Sequence, residues 1–153
     1  MESPSAYTAA LRMLARRELS TAQIRERLAR REFTPADIDD AVSRLAATGA
    51  LDDLRVARAV ARTRANVRRQ GRNRVVRELA VIGIPREIAE RVIAEVFGEL
   101  DEDALLEQAL SRRLRGTMSL HDPAVRRRLV AALVRQGFAP SAIMRTMRAR
   151  RKE

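Results

Sequence analysis

The sequence predicts an all-α protein, an elongated tandem array of three three-helix repeats built on helix-turn-helix-like units. Three observations predict it. A pattern Ile24, Leu28, Phe33, Pro35, Ile38, Val42 recurs 105 residues later as Leu129, Leu133, Phe138, Pro140, Ile143, Met147. A middle copy, Val75, Leu79, Ile84, Pro85, Ile88, Val92, lies at an offset of 51 that drops to 50 where one turn residue is missing. Self-similarity near a fifty-residue period marks stacked supersecondary units rather than a pocketed enzyme core. Second, apolar residues recur at helical spacing and no strand pattern is convincing. Third, hydrophobic residues make up 46% of the chain but aromatic ones only 3%. That mixture builds thin helix–helix seams, so packing between neighbouring repeats is expected to carry the array.

The repeats are expected over residues 5–50, 51–98 and 99–151. In the first, Tyr7 to Arg17 puts Ala10, Leu11 and Leu14 on one helical face. Ser20 caps a second helix, and Gln23 three residues on completes a capping box. Thr34-Pro35 starts the third, with threonine as cap, proline at the first helical position and Asp37 near the positive helix end. Gly49 ends that helix and Leu51 follows the stop. Repeat 2 opens at Asp52-Asp53 with a long helix to about Arg69. Gln70-Gly71-Arg72-Asn73 breaks it, and helices near Arg74–Ile82 and Pro85–Phe97 follow. Repeat 3 begins in Asp101-Glu102-Asp103, runs to Arg115 and breaks at Gly116. A longer connection, Thr117–His121, leads to the cap-plus-proline start Asp122-Pro123, and the last helix runs from Pro140 to about Arg150.

The copies are unequally formed. Gly83 and Gly137 occupy a turn position where left-handed backbone costs glycine little, whereas repeat 1 has Glu32 there. A non-glycine residue in that conformation costs roughly 1–2 kcal/mol. Repeat 3 has Ala139 where repeat 1 has the capping Thr34, a loss of about 1 kcal/mol.

At 153 residues the length suits one medium domain or a short array of small modules. Charges interrupt every apolar stretch, so no transmembrane span is expected. Met1-Glu2-Ser3-Pro4 has no basic stretch leading into an apolar run, so no signal peptide is expected either. The absence of cysteine excludes disulfide and thiol chemistry and is compatible with a reducing cytoplasm. Net charge is +11, and thirty of the thirty-one basic residues are arginine. A GC-rich genome is one reading of the Arg- and Ala-rich, Lys-poor composition. It does not account for the basic excess, which points to phosphate-rich polymers or acidic protein surfaces.

The first helix of repeat 2 is the most informative surface. Val56, Val60, Thr63 and Val67 lie within about 60° of one another as the expected buried stripe. Arg55, Arg58, Arg62 and Arg69 fall in another arc, and Arg64 and Arg68 form a shorter ridge. Like charges at such spacings destabilise an isolated helix by about 0.2–0.5 kcal/mol per pair. Few acidic residues nearby relieve this, so a face docking on phosphates or carboxylates is favoured over a merely solvated one. Smaller clusters repeat the theme: Arg12, Arg16 and Arg17; Arg25, Arg27, Arg30 and Arg31; Arg72, Arg74 and Arg77; Arg112, Arg113 and Arg115; Arg126, Arg127 and Arg128. Arginines without interleaved aromatics suit backbone contact rather than base stacking. Tyr7, Phe33, Phe97 and Phe138 read as core or seam residues.

Catalysis finds little support. His121, the only histidine, stands in a loop beside the capping Asp122. Asp37, Asp39 and Asp40 suit a helix N-terminus and nearby arginines better than a metal. Neither a phosphate-binding glycine loop, a zinc spacing nor a nucleophile–base pair is readable. No enzyme, metal or cofactor is expected.

Four segments carry a family resemblance. Leu14-Ala15-Arg16-Arg17-Glu18-Leu19-Ser20-Thr21-Ala22-Gln23-Ile24 is similar to an early Leu-x-x-Arg-Glu-x-Ser-x-x-Glu-Leu pattern. Gly49-Ala50-Leu51-Asp52-Asp53, then Ala57, Ala61, Arg62 and Arg64, resembles a central Gly-x-Leu-Asp-Asp block with an Ala-rich helix ending in Arg-x-Arg. Arg74, Glu78, Leu79, Gly83 and Ile84 match a third segment, and Leu129, Leu133, Arg135, Gly137 and Phe138 a fourth. On these residues the chain resembles the RecX family, bacterial regulators of the RecA recombinase, from about Tyr7 to Arg148. Two departures stand out. The aromatic residue usual soon after the Asp-Asp pair gives way to the region of Val56 and Val60, and a Gly-Tyr-Gly-Pro-like break becomes Gly71-Arg72-Asn73-Arg74.

The resemblance implies three tandem three-helix repeats lying along the groove of the RecA–DNA filament. It implies suppression of RecA ATPase, strand exchange and co-protease activity, hence a place in recombination, DNA repair and the SOS response. The implied partner is the RecA filament; with the arginine stripes, the resemblance predicts single- and double-stranded DNA bound without sequence preference, and the stripe of repeat 2 makes Arg58, Arg62 and Arg69 the expected first contacts. A cytoplasmic monomer is expected. The alternative is a sequence-nonspecific DNA-binding protein without a recombinase partner. Sequence-specific readout is disfavoured, because the third helices of repeats 1 and 2 begin Pro35-Ala36-Asp37 and Pro85-Arg86-Glu87, whose acidic groups repel phosphate.

Overall fold

Side-chain caps start most helices where the sequence places them. In a computed structural model, which describes residues 4–114, 116 and 118–152, α1 covers Ala6–Leu14, α2 Thr21–Ala29 and α3 Pro35–Ala47. Then come α4 at Asp53–Arg62, running into a π turn at Thr63–Val67, α5 at Arg72–Val81 and α6 at Arg86–Gly98. Last are α7 at Glu102–Arg113, α8 at Pro123–Gln136 and α9 at Pro140–Arg150. Among the described residues there is no strand. Ser20 and Gln23 form the reciprocal capping box, and Thr34 caps α3 with Pro35 at its first turn. Asp52, Asp101 and Asp122 cap the helices that follow them. Each such cap is worth about 1 kcal/mol. Ala139 makes no side-chain cap.

Several boundaries differ from expectation. The first helix stops at Leu14 rather than Arg17, and its buried face is Ala6, Ala9 and Ala10; Leu11 is exposed. The alanine edge wins because α1 lies close against α3, where small side chains let backbones approach. The middle helix α5 starts two residues early, at Arg72, since Gly71 takes the extended cap position. Pro85 sits before α6 rather than in it, with ψ 141°. The expected helix end at Arg115 and the start of the connection at Thr117 lie outside the described residues.

The buried stripe of α4 also needs correction. Thr63 and Val67 are exposed, Val67 to 71%, and the buried residues are Val56, Ala57, Ala61 and Ala65. An alanine every fourth position drifts off a 3.6-residue helix within two turns. The π turn absorbs the drift: the Arg68 amide donates to the Thr63 carbonyl five residues back at 3.1 Å, a wider turn that rotates Ala65 inward and Val67 outward.

The triplets α1–α3, α4–α6 and α7–α9 pack chiefly within themselves, yet the core divides in two, not three. Residues from Ala6 to Leu51 form one cluster, and those from Val56 to Met147 a second that spans repeats 2 and 3. Repeat 1 therefore owns a core, which the expectation of thin shared seams did not anticipate. Phe97 and Phe138 are buried in the second cluster, while Tyr7 and Phe33 pack at the edge of the first.

Two equivalent joints link successive repeats. The start of one repeat's second helix meets the turn between the second and third helices of the next. At the first joint, the buried Ser20 hydroxyl donates to the Ile82 carbonyl and the Thr21 amide to Asp53 at 2.8 Å. A Cβ on Gly83 would collide with the Ala22 Cβ. At the second, the Gly71 amide donates to the Gln136 carbonyl at 2.9 Å and the Asn73 amide to that of Gly137 at 3.1 Å. Here a Cβ on Gly71 would strike the Gly137 backbone, and one on Gly137 the Arg74 side chain. The charged, aromatic-free break at Gly71 is thus a backbone-to-backbone seat.

Candidate nucleic-acid interface

Guanidinium groups carry the excess charge, so the useful distinction is which arginines already hold an acidic partner. The face of α4 is largely occupied. Arg55 reaches the Glu18 carboxylate with two nitrogens, at 2.9 and 3.3 Å, and adds the Gly49 and Ala50 carbonyls. Hydrogen bonding to Glu18 raises its pKa above the ordinary arginine value, so it stays charged at any physiological pH. Arg58 donates to Glu95 on α6 at 3.0 Å with both side chains about two-thirds buried. Arg64 pairs with Glu78 at 3.2 Å and Arg69 bonds Gln108. Much of the repulsion expected along this helix is relieved by carboxylates from the α1–α2 connection, α5 and α6; local sequence does not display them.

Elsewhere the same holds in part. Arg25 pairs with Asp39 at 2.6 Å, Arg72 with Glu102 at 2.6 Å, and Arg74 with Glu78 and the Arg135 carbonyl, both at 3.3 Å. Arg113 bonds Gln136 at 2.7 Å, and Arg126 clamps the Leu120 and His121 carbonyls at 2.9 and 3.0 Å. Arg112 is exposed on α7. Arg62, Arg77, Arg127 and Arg128 are exposed and have no intramolecular partner among the described residues. The aspartates at the start of α3 are engaged too: Asp37 by Thr34, Asp39 by Arg25 and Asp40 by Arg44.

One arrangement emerges only in three dimensions. The end of α1 and the outer face of α2 enclose an open concavity of about 670 Å³. Six arginines line it, Arg12, Arg16, Arg17, Arg27, Arg30 and Arg31, over a floor of Ala9 and Met13. Arg30 pairs with Glu26 on its own helix. The other five have no intramolecular partner among the described residues. Such a cluster tolerates its own repulsion only where water and anions screen it, and a chain of phosphates would neutralise several groups at once. Arg16 and Arg17 were marked by sequence. The contribution of Arg12, Arg27, Arg30 and Arg31 was visible as clusters on separate helices, but not their convergence.

No group of three or more His, Cys, Asp or Glu side chains is placed to hold a metal ion among the described residues, and none of their helices is long and apolar enough to cross a membrane. His121 is exposed beside the Asp122 cap.

Comparison with known proteins places this frame. Residues 6–45 match the model of the RecX first three-helix domain and residues 52–93 that of the RecX second three-helix domain. The chain is 29% identical over 146 residues to the regulatory protein RecX of Pelodictyon phaeoclathratiforme (strain DSM 5477 / BU-1), covering 95% of this chain and 89% of the relative. It is 32% identical over 142 residues to regulatory protein RecX of Treponema pallidum (strain Nichols), covering 93% and 83%. Its fold is similar to the crystal structure of RecX from Lactobacillus salivarius, with a TM-score of 0.80 at 18% identity over 94% of this chain and 93% of that one. With two family domains in register with its first two helix triplets and relatives matched over most of their length, the chain belongs to the RecX family of regulatory proteins.

Proposed function

We propose that this protein regulates the RecA recombinase by binding the RecA–DNA filament, inhibiting its ATPase, strand exchange and co-protease activity, and so acts in recombination, DNA repair and the SOS response. Family membership carries this reading, and the arginine concavity of repeat 1 supplies a phosphate contact. Arg16 and Arg17, with Arg12, Arg27 and Arg31, meet DNA first; Arg62, Arg77 and Arg128 extend the contact. Arg55, Arg58, Arg69, Arg72, Arg74 and Arg113 act by holding helices and repeats in register, because their guanidiniums are already bonded. The protein acts as a cytoplasmic monomer without cofactor.

A second reading is nonspecific DNA binding without a recombinase partner, since a cluster of unpaired arginines needs only phosphate. RecA ATPase on single-stranded DNA, titrated with this protein, separates the two. Inhibition below one protein per RecA, beyond what competition for naked DNA explains, supports filament regulation. Undiminished ATPase with DNA binding retained supports the second reading.

A further inference from the structure

The second and third helices of every repeat enclose the same groove, and its chemistry changes along the chain. In repeat 1 it is a smaller depression of about 330 Å³ beside Ala29 and Ile38, bridged by the 2.6 Å ion pair of Arg25 and Asp39. At the equivalent positions repeat 2 has Val76 and Ala89, and repeat 3 has Val130 and Met144. Both later grooves are open and apolar, of about 530 and 440 Å³. Val76 is 44% exposed and Met144 42%, large apolar side chains left to water.

The rims separate the two. Around the repeat 2 groove the arginines are neutralised, Arg72 by Glu102 and Arg86 by Glu90. Around the repeat 3 groove no acidic residue among the described ones lines the slot. Arg126 is oriented by two backbone carbonyls that leave its charge intact. Arg127, Arg148 and Arg151 have no intramolecular partner among the described residues.

We propose that the α8–α9 groove of repeat 3 binds an acidic amphipathic helix of a partner protein. Apolar side chains of such a helix would fill the slot over Val130, Ala131 and Met144, and its carboxylates would meet the four rim arginines. A slot between two helices is the geometry that seats a third helix by its apolar face. Methionine suits it, because its unbranched, polarizable side chain adapts to varied surfaces. Nucleic acid fits less well: the slot offers no aromatic ring for a base, and a phosphodiester backbone has no apolar side chain to bury. Helix binding at this groove does not depend on the recombinase reading.

The test uses the full chain labelled at its methionine methyls, since Met144 reports on the groove and Met13 on the arginine concavity. Three probes are titrated: a synthetic helical peptide with leucines on one face and glutamates on the other, its lysine-for-glutamate twin, and a short DNA duplex. The acidic peptide is expected to shift Met144 and spare Met13. Met144→Glu and Arg148→Glu should each weaken it by about tenfold or more, through like-charge repulsion, with helical content unchanged by circular dichroism. Arg148→Ala, a milder change at an exposed site, should weaken it less. The proposal is overturned if Met144 ignores the acidic peptide, if the lysine twin binds equally, if the duplex alone moves Met144, or if well-folded Met144→Glu binds as the parent does.

Discussion

Repeats 1 and 2 share a helical frame but differ in what surrounds it. In repeat 2, Gly83 presses on Ala22, and Arg55, Arg58 and Arg64 are bonded to carboxylates of the α1–α2 connection, α6 and α5. In repeat 1 the equivalent turn residue, Glu32, is exposed at φ +63°, and five of the six arginines lining the concavity have no internal partner among the described residues. Similar residue types thus serve assembly in one repeat and remain available in the other. Arginine count alone does not distinguish them; proximity to another helix's glutamates does.

The largest expected effect tests the joint. Gly83→Ala should cost about 2–4 kcal/mol, combining left-handed backbone cost with overpacking against Ala22. Glu32→Ala, at the equivalent but open position, should change stability by less than about 0.5 kcal/mol. Urea unfolding measures both, and equal losses would erase the contrast between the turns.

Next comes the arginine contrast itself. Replacing Arg16, Arg17 and Arg31 together with alanine should weaken DNA binding by roughly 10- to 100-fold at low salt and make the slope of log K against log salt shallower by about 2–3. Replacing Arg55 and Arg58 should leave that slope unchanged. A salt series by fluorescence anisotropy decides; a slope that responds to the second pair instead would return the contact to α4.

A smaller effect sharpens the structural role of Arg58. Its alanine variant and Glu95→Ala should each cost about 0.5–1 kcal/mol, less than additively in the double mutant. Strict additivity would mean the ion pair contributes nothing. The smallest effect is Glu32→Gly, expected to be neutral or stabilising by up to about 1 kcal/mol, since glycine relieves the left-handed cost but frees the unfolded chain. A lower melting temperature would contradict the assigned turn.

Much of the frame was legible because its signals are local. Ser20 with Gln23, Thr34 with Pro35, and Asp122 with Pro123 satisfy helix-end amides within a few residues, so sequence spacing suffices to find them. The left-handed turns at Gly83 and Gly137, and the strained Glu32 at the matching place in repeat 1, were likewise readable from the repeat register. The α4 stripe was not, because a π turn at Thr63–Val67 depends on how closely Ala57, Ala61 and Ala65 can pack. The arginine surface was half legible: Arg16 and Arg17 were visible as one of several clusters, whereas the side chains that bond Arg58 and Arg69 lie 37 and 39 residues away.

By itself the sequence determined the helical repeats, their turns, the basic excess and the family, since each is written in periodicity, capping residues and motifs along the chain. Tertiary structure decided which arginines are engaged by internal carboxylates, that Gly71 and Gly137 seat backbone on backbone, and that two repeats share one core. The physical reason is range. Caps and turns act within a helical turn, whereas charge neutralisation and close packing depend on groups that only folding brings together.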